Sequence, residues 1–175
     1  MTMLGSPYHL MKRFFVSVFA NNYDSRVEKD LLSLLNDQEI SLYFSQPRLD
    51  RVHSIRNAKS VFEDDSTEFD DDLVVAAALH DVGKAQAHLG ILGRILATII
   101  EGLLPVRVLK KWEGGEGLRK NIGHYCFHSE NGAALLEKAG SASIVVLWAR
   151  RHHDKPDDVP ISANVFAILN RADQK

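Results

Sequence analysis

Residues 73–79 are apolar without a break and run straight into His80 and Asp81. A segment this apolar belongs in a core, and it carries an imidazole and a carboxylate in with it. An unpaired buried carboxylate costs on the order of several kcal/mol, so such a group is paired or holds a metal. The fold must therefore bring other polar groups to this doublet. Suitable groups are spread along the chain: His53, His124, His128, His152, His153 and Asp173.

Apolar side chains recur at helical spacing in nearly every segment. Helices are predicted over residues 7–20 and 24–35, the second capped by Asp24 or Ser25. A short helix follows Asn36 or Asp37 and ends near Gln46 and Pro47. The next, over 49–62, has the stripe Val52, Ile55, Ala58 and Phe62, with His53 at its border. After an acidic loop at 64–72, a buried helix spans 73–81, and Gly83 permits a turn after the doublet. Another covers 90–104 and is stopped by Pro105. Residues 110–120, with Gly114, Gly115 and Gly117, read as a mobile loop. Three more helices are expected over 129–138, 141–153 and 160–173, the first capped by Ser129 and closed by Gly140. Valine-rich stretches occur only inside runs long enough to be helices, so the expected class is all-α. Residues 1–46 are read as N-terminal helices packing on a core domain over 47–175.

A chain of 175 residues can bury one complete core. Its net charge of −2 gives no electrostatic case for duplex nucleic acid as a partner. Cys126 is the one cysteine, which excludes an intrachain disulfide and fits a reducing, cytoplasmic setting. Residues 12–20 faintly resemble a signal peptide, but the apolar stretch is short. The longest apolar stretch, 89–108, is interrupted by Arg94, Glu101, Pro105 and Arg107, which argues against a transmembrane span.

Five motifs occur in a telling order: Arg51-Val52-His53, His80-Asp81-Val82-Gly83-Lys84, His128-Ser129-Glu130-Asn131-Gly132-Ala133, His152-His153-Asp154, and Arg171-Ala172-Asp173. Together, over residues 47–175, they resemble the HD superfamily of metal-dependent phosphohydrolases. The resemblance implies an HD-domain helical bundle. It implies that His53, His80, Asp81 and Asp173 ligate one divalent metal (Mn, Fe, Mg, Zn, Co or Ni). Asp81 would bridge to a second ion, completed by His128 and His152, with His153 the alternative to His152. It further implies a phosphohydrolase acting on a small phosphate ester such as a nucleotide, by attack of metal-bound water. Asp81 would be the catalytic base and Lys84 would steady the phosphate. Two departures stand out: Ser129 replaces a proline of the family pattern, and no Gly-Tyr-Pro follows His153, which puts a cyclic-dinucleotide substrate in doubt.

The chemistry of the residue types agrees. Divalent metals in hydrolases take carboxylate oxygens and imidazole nitrogens, and these come here from separate helices. Lys84, Arg94, His124 and Arg151 are the candidate substrate-binding residues. His124 and His128 share a face only if their helix is continuous, and Ser129 argues for a break. Residues 89–104 have three readings: a wall over the site with Arg94 facing substrate, a helix lying on a membrane or partner, or a core helix with one snorkelling arginine. Two other functions stay open, a metal- and nucleotide-binding regulatory module without turnover and a paired-iron oxygenase. A homo-oligomer is compatible with the sequence.

Overall fold

The computed structural model describes residues 23–64 and 70–174. The helix predicted over 7–20, the signal-like stretch and part of the acidic loop lie outside the described residues. Ten α-helices follow in order: α1 (Ser25–Leu34), α2 (Asp37–Ser45), α3 (Arg48–Phe62), α4 (Asp71–Leu79), α5 (Ile91–Leu103), α6 (Val106–Glu113), α7 (Gly117–Cys126), α8 (His128–Lys138), α9 (Ser143–Arg151) and α10 (Ala163–Gln174). A 3-10 turn, Val82–Ala87, links α4 to α5, and a shorter one, Pro156–Asp158, precedes α10. No strand occurs among the described residues, so the all-α expectation holds.

Local chemistry sets several helix starts. The Asp24 side chain accepts from the backbone N–H groups of Arg26 and Val27. Asn36 forms a reciprocal capping box with Glu39, and its amide also donates to the Ala139 carbonyl at 3.1 Å, fastening α2 to the end of α8. Two expectations are corrected. Ser129 is not a cap, since α8 already begins at His128 and has no side-chain cap. Residues 110–120 are not a loop but the end of α6 and the start of α7, separated by a short turn at 114–116. Leu109 and Ile122 are buried and hold the two helices together. A Cβ on Gly123 would stand 2.4 Å from the Glu113 nitrogen, so the glycine is what lets α7 close on α6. Gly114 and Gly115 fall in the short turn between the two helices, and Gly117 begins α7 with a positive φ of 58°.

Helix α4 is the axis of the main core. All its residues from Leu73 to Leu79 are buried. Around it pack Leu31 of α1, Tyr43 of α2, Ala58 of α3, Leu136 of α8, Trp148 of α9 and Leu169 of α10. Three consecutive alanines, Ala76 to Ala78, give the neighbouring helices close approach on every side. A second, smaller cluster of Ala87, Leu89, Ala97 and Ile122 lies under α5 and α7. Helix α5 is not a core helix: Ala97 alone of its residues is buried.

Candidate metal centre

His80, His128 and His152 each follow the last turn of a helix: α4, α7 and α9 in turn. The final carbonyls of a helix lack intrahelical partners. Each of these imidazoles satisfies one through Nδ1: His80 to the Ala77 oxygen at 2.9 Å, His128 to Tyr125 at 2.7 Å and His152 to Ala149 at 2.9 Å. A carbonyl oxygen cannot donate, so Nδ1 carries the proton in all three. Each Nε2 is then left as a lone pair, with its ring orientation fixed by the helix end. The C-terminal ends of three helix dipoles also converge here, which favours a cation.

Asp81 lies at the middle. Its Oδ1 is 3.4 Å from His128 Nε2 and 3.6 Å from His152 Nε2. Its Oδ2 is 3.5 Å from His80 Nε2, 3.9 Å from His53 Nε2 and 2.5 Å from the Lys84 ammonium. Asp173, from α10, puts Oδ1 at 3.3 Å from both His53 Nε2 and His80 Nε2. One carboxylate thus faces two histidine groups, one through each oxygen. Three sets of ligand atoms lie within 4.8 Å of one another: His53, His80 and Asp173; His80, Asp81 and His152; and His128, His152 and His153.

Two glycines make this meeting possible. A Cβ on Gly83 would lie 2.0 Å from the His128 carbonyl oxygen, and one on Gly132 would lie 3.1 Å from the Gly83 nitrogen. The backbones of the turn after Asp81 and of α8 are in contact there. Any larger residue would push His128 away from Asp81.

Burial and charge set the ionisation. Burial alone would raise the Asp81 carboxyl, but Lys84, His80 and His128 outweigh it and hold it well below the usual carboxylate range. Asp173 is likewise held well below, because the neighbouring His53 and His80 outweigh burial. Burial pushes His152 well below its ordinary value, with His80 and His153 adding to the effect, so it stays neutral. Burial also takes His153 down to about 4. His80 is the exception: burial would lower it, but Asp81 and Asp173 raise it on balance.

The fit to a metal rests on orphaned atoms. His80 Nε2, His152 Nε2 and Asp81 Oδ1 are buried without a hydrogen-bond partner. With both Nδ1 protons committed to carbonyls, these are acceptors facing acceptors. Such an arrangement is costly unless a cation sits among them. Imidazole nitrogens and carboxylate oxygens are ligands of a divalent transition metal, and the buried His/Asp groups could hold such an ion.

His53 behaves differently. The Arg56 guanidinium donates to its Nδ1 at 2.8 Å, so the proton is on Nε2. The Asn57 amide oxygen accepts from that Nε2 at 3.1 Å, and its nitrogen donates to the Ala172 carbonyl at 3.0 Å, tying α3 to α10 beside Asp173. Arg56 and Asn57 were missed in the sequence, although they lie three and four residues after His53, the spacing that puts helical side chains together. His153 Nε2 is 3.2 Å from His128 Nε2. Because the His128 ring proton is on Nδ1, the shared proton belongs to His153. That leaves His152, the more buried of the pair, with the unshared lone pair aimed at Asp81.

The proposed substrate-side residues are placed unevenly. Lys84 reaches Asp81 directly. Arg94 is committed to Asp50, each guanidinium nitrogen 2.6 Å from a carboxylate oxygen, and to the Leu89 carbonyl at 3.2 Å. Arg151 is exposed and paired with Asp154 at 2.8 Å. His124 belongs to α7 and His128 starts α8, so the two do not share one helical face. His124 faces Asn131 at 3.4 Å and lines an open groove with Lys120, Asn121, Gln86 and His88. Tyr125, not singled out from the sequence, stacks beside His128 with ring centroids 5.8 Å apart and contributes the carbonyl that orients it. Comparison with family models, with curated proteins and with solved structures finds no match for this chain.

Proposed function

We propose that this chain is an HD-type metal-dependent phosphohydrolase of small phosphate esters, nucleotides among them. The observation that carries the reading is the set of buried, partnerless acceptors at His80, His152 and Asp81, gathered from the ends of separate helices. His80, Asp81 and Asp173, joined by His53 once its Nε2 proton is displaced, would hold one divalent ion, and Asp81, His128 and His152 a second. A divalent metal in such a site supplies Lewis acidity toward phosphoryl oxygens and lowers the pKa of bound water to about 7.

The chain's own groups have separable tasks. Asp81 stays ionised, so both its oxygens remain available to hold charge and accept hydrogen bonds. Lys84 is kept protonated, because the adjacent Asp81 carboxylate outweighs burial. Its ammonium, 2.5 Å from Asp81, provides a positive charge for a phosphate oxygen at the same place. His152 keeps an unshared lone pair because its Nδ1 donates to a backbone carbonyl, while His128 Nε2 faces His153. His153, at the exposed edge, donates toward His128 and can pass a proton outward.

The test is metal analysis of protein purified without chelator, followed by turnover on a panel of mononucleotides and dinucleoside polyphosphates with added Mn²⁺. Bound transition metal is expected, and it is lost in His80→Ala and Asp173→Ala while helical content persists. Asp81→Asn should abolish phosphate release. Full metal occupancy in both alanine variants would overturn the site assignment. Nucleotide binding without turnover in the wild type would instead identify a regulatory module.

A further inference from the structure

Helix α5 presents an apolar face to solvent. Leu92, Ile95, Leu96, Ile99 and Leu103 are exposed along one stripe opposite the buried Ala97, and Val106 extends it into α6; Leu92, Leu103 and Val106 are 81%, 76% and 69% exposed. A contiguous exposed apolar stripe on a folded chain marks an interaction surface. The charge next to it says what kind. Arg107 and Lys111, one helical turn apart on α6, lie opposite its buried Leu109. With Lys120 of α7 they are exposed and form no ion pair with a described residue. Residues 91–120 carry a net charge of +3, whereas the rest of the chain carries −5. Arg94 and Lys110 are ion-paired with Asp50 and Glu113, so the positive charge left open in this stretch lies on Arg107, Lys111, Arg119 and Lys120.

We propose that the α5–α6 face docks on a membrane surface bearing anionic lipid headgroups. Insertion of an apolar helix face beside a basic segment is the arrangement that binds such surfaces, the apolar side chains entering the headgroup boundary and the cations meeting the lipid charge. A second copy of this chain is a poorer occupant. A two-fold contact through the stripe would bring one basic segment against the other. On its inner side α5 packs on α7 through Ala97 and Cys126, next to Tyr125. The exposed stripe is thus on the side of α5 away from its packing seam. The proposal does not depend on the metal-centre reading.

The experiment is co-sedimentation of the full chain with vesicles of equal parts phosphatidylcholine and phosphatidylglycerol, against phosphatidylcholine alone. Binding is expected to the anionic vesicles and to fall with salt. The double variant Leu96→Asp/Ile99→Asp should abolish it, and Arg107→Glu/Lys111→Glu should weaken it by about tenfold or more. Circular dichroism checks that the variants remain helical. Should the double variant misfold, Leu92→Asp, at the most exposed position, replaces it. Failure to bind anionic vesicles overturns the proposal. So does binding that survives the α5 changes, which would place the contact elsewhere, for instance at residues 12–20. A concentration-dependent dimer abolished by the same changes, without vesicle binding, would assign the face to a second copy.

Discussion

Helices α4 and α5 are both written in apolar residues, yet one is the centre of the molecule and the other part of its outside. Every residue of α4 from Leu73 to Leu79 is buried, whereas only Ala97 is buried in α5. The difference lies in what flanks the apolar side chains. α4 carries three adjacent alanines and no long polar side chain between Leu73 and Leu79, so neighbours can close around it. α5 places Arg94 and Glu101 among its isoleucines and leucines and meets the fold through one narrow seam. Apolarity signals burial of some kind; side-chain size and the position of charges decide whether the burial is in the protein's own core.

The comparison breaks most sharply where the chain leaves α4. Gly83 allows the turn after Asp81 to touch the α8 backbone, with no room for a methyl group. Gly83→Ala should cost about 3 kcal/mol, since backbone rather than a flexible side chain must move. Chemical denaturation reads the stability, and metal content should fall with it as His128 withdraws from Asp81. A variant within about 0.5 kcal/mol of wild type, with full metal, would show that the close approach is not what holds the two halves of the site together.

A smaller loss is expected where α5 is fastened. Arg94 and Asp50 are paired through two bonds, with side chains only 15% and 10% exposed. Asp50→Ala leaves a guanidinium largely buried without its carboxylate, and should cost about 2 kcal/mol. Adding Arg94→Ala should return part of that loss, because the unpaired charge goes with it. Two independent, additive losses would mean that the pair does not anchor the helix.

How much of this could be read in advance depends on the distance over which each feature is set. The helices over 49–62 and 90–104 were legible to within a residue or two, because periodicity and a proline stop are local. The gathering of His53, His80, Asp81, His128, His152 and Asp173 was suggested only by resemblance, since no spacing rule joins residues so far apart. Local rules failed at Ser129 and at residues 110–120. There α8 begins one residue before the expected cap, and the glycines mark only a short turn between two helices that pack on each other. Arg94 looked like a group for substrate, but its partner Asp50 lies on another helix, and sequence alone gives no hint of the pairing. Conversely, one backbone bond at His80 ties helix structure to site chemistry. Nδ1 caps the helix, and that bond is what frees Nε2.

The smallest effect is expected on the outer face of α5. Leu92 is 81% exposed, so truncating it removes little surface that folding had taken from water. Leu92→Ala should leave stability within about 0.5 kcal/mol of wild type by chemical denaturation. Alanine also has the better helix propensity, which offsets part of any loss. If α5 instead packed like α4, the same truncation would cost about 2–5 kcal/mol, the range for a leucine in a closed core. A loss of that size would show that the stripe is covered in the free protein, and α5 would join α4 as an interior helix. A negligible loss combined with weakened vesicle binding would place the energetic role of Leu92 outside the fold, in contact with something the chain meets after it has folded.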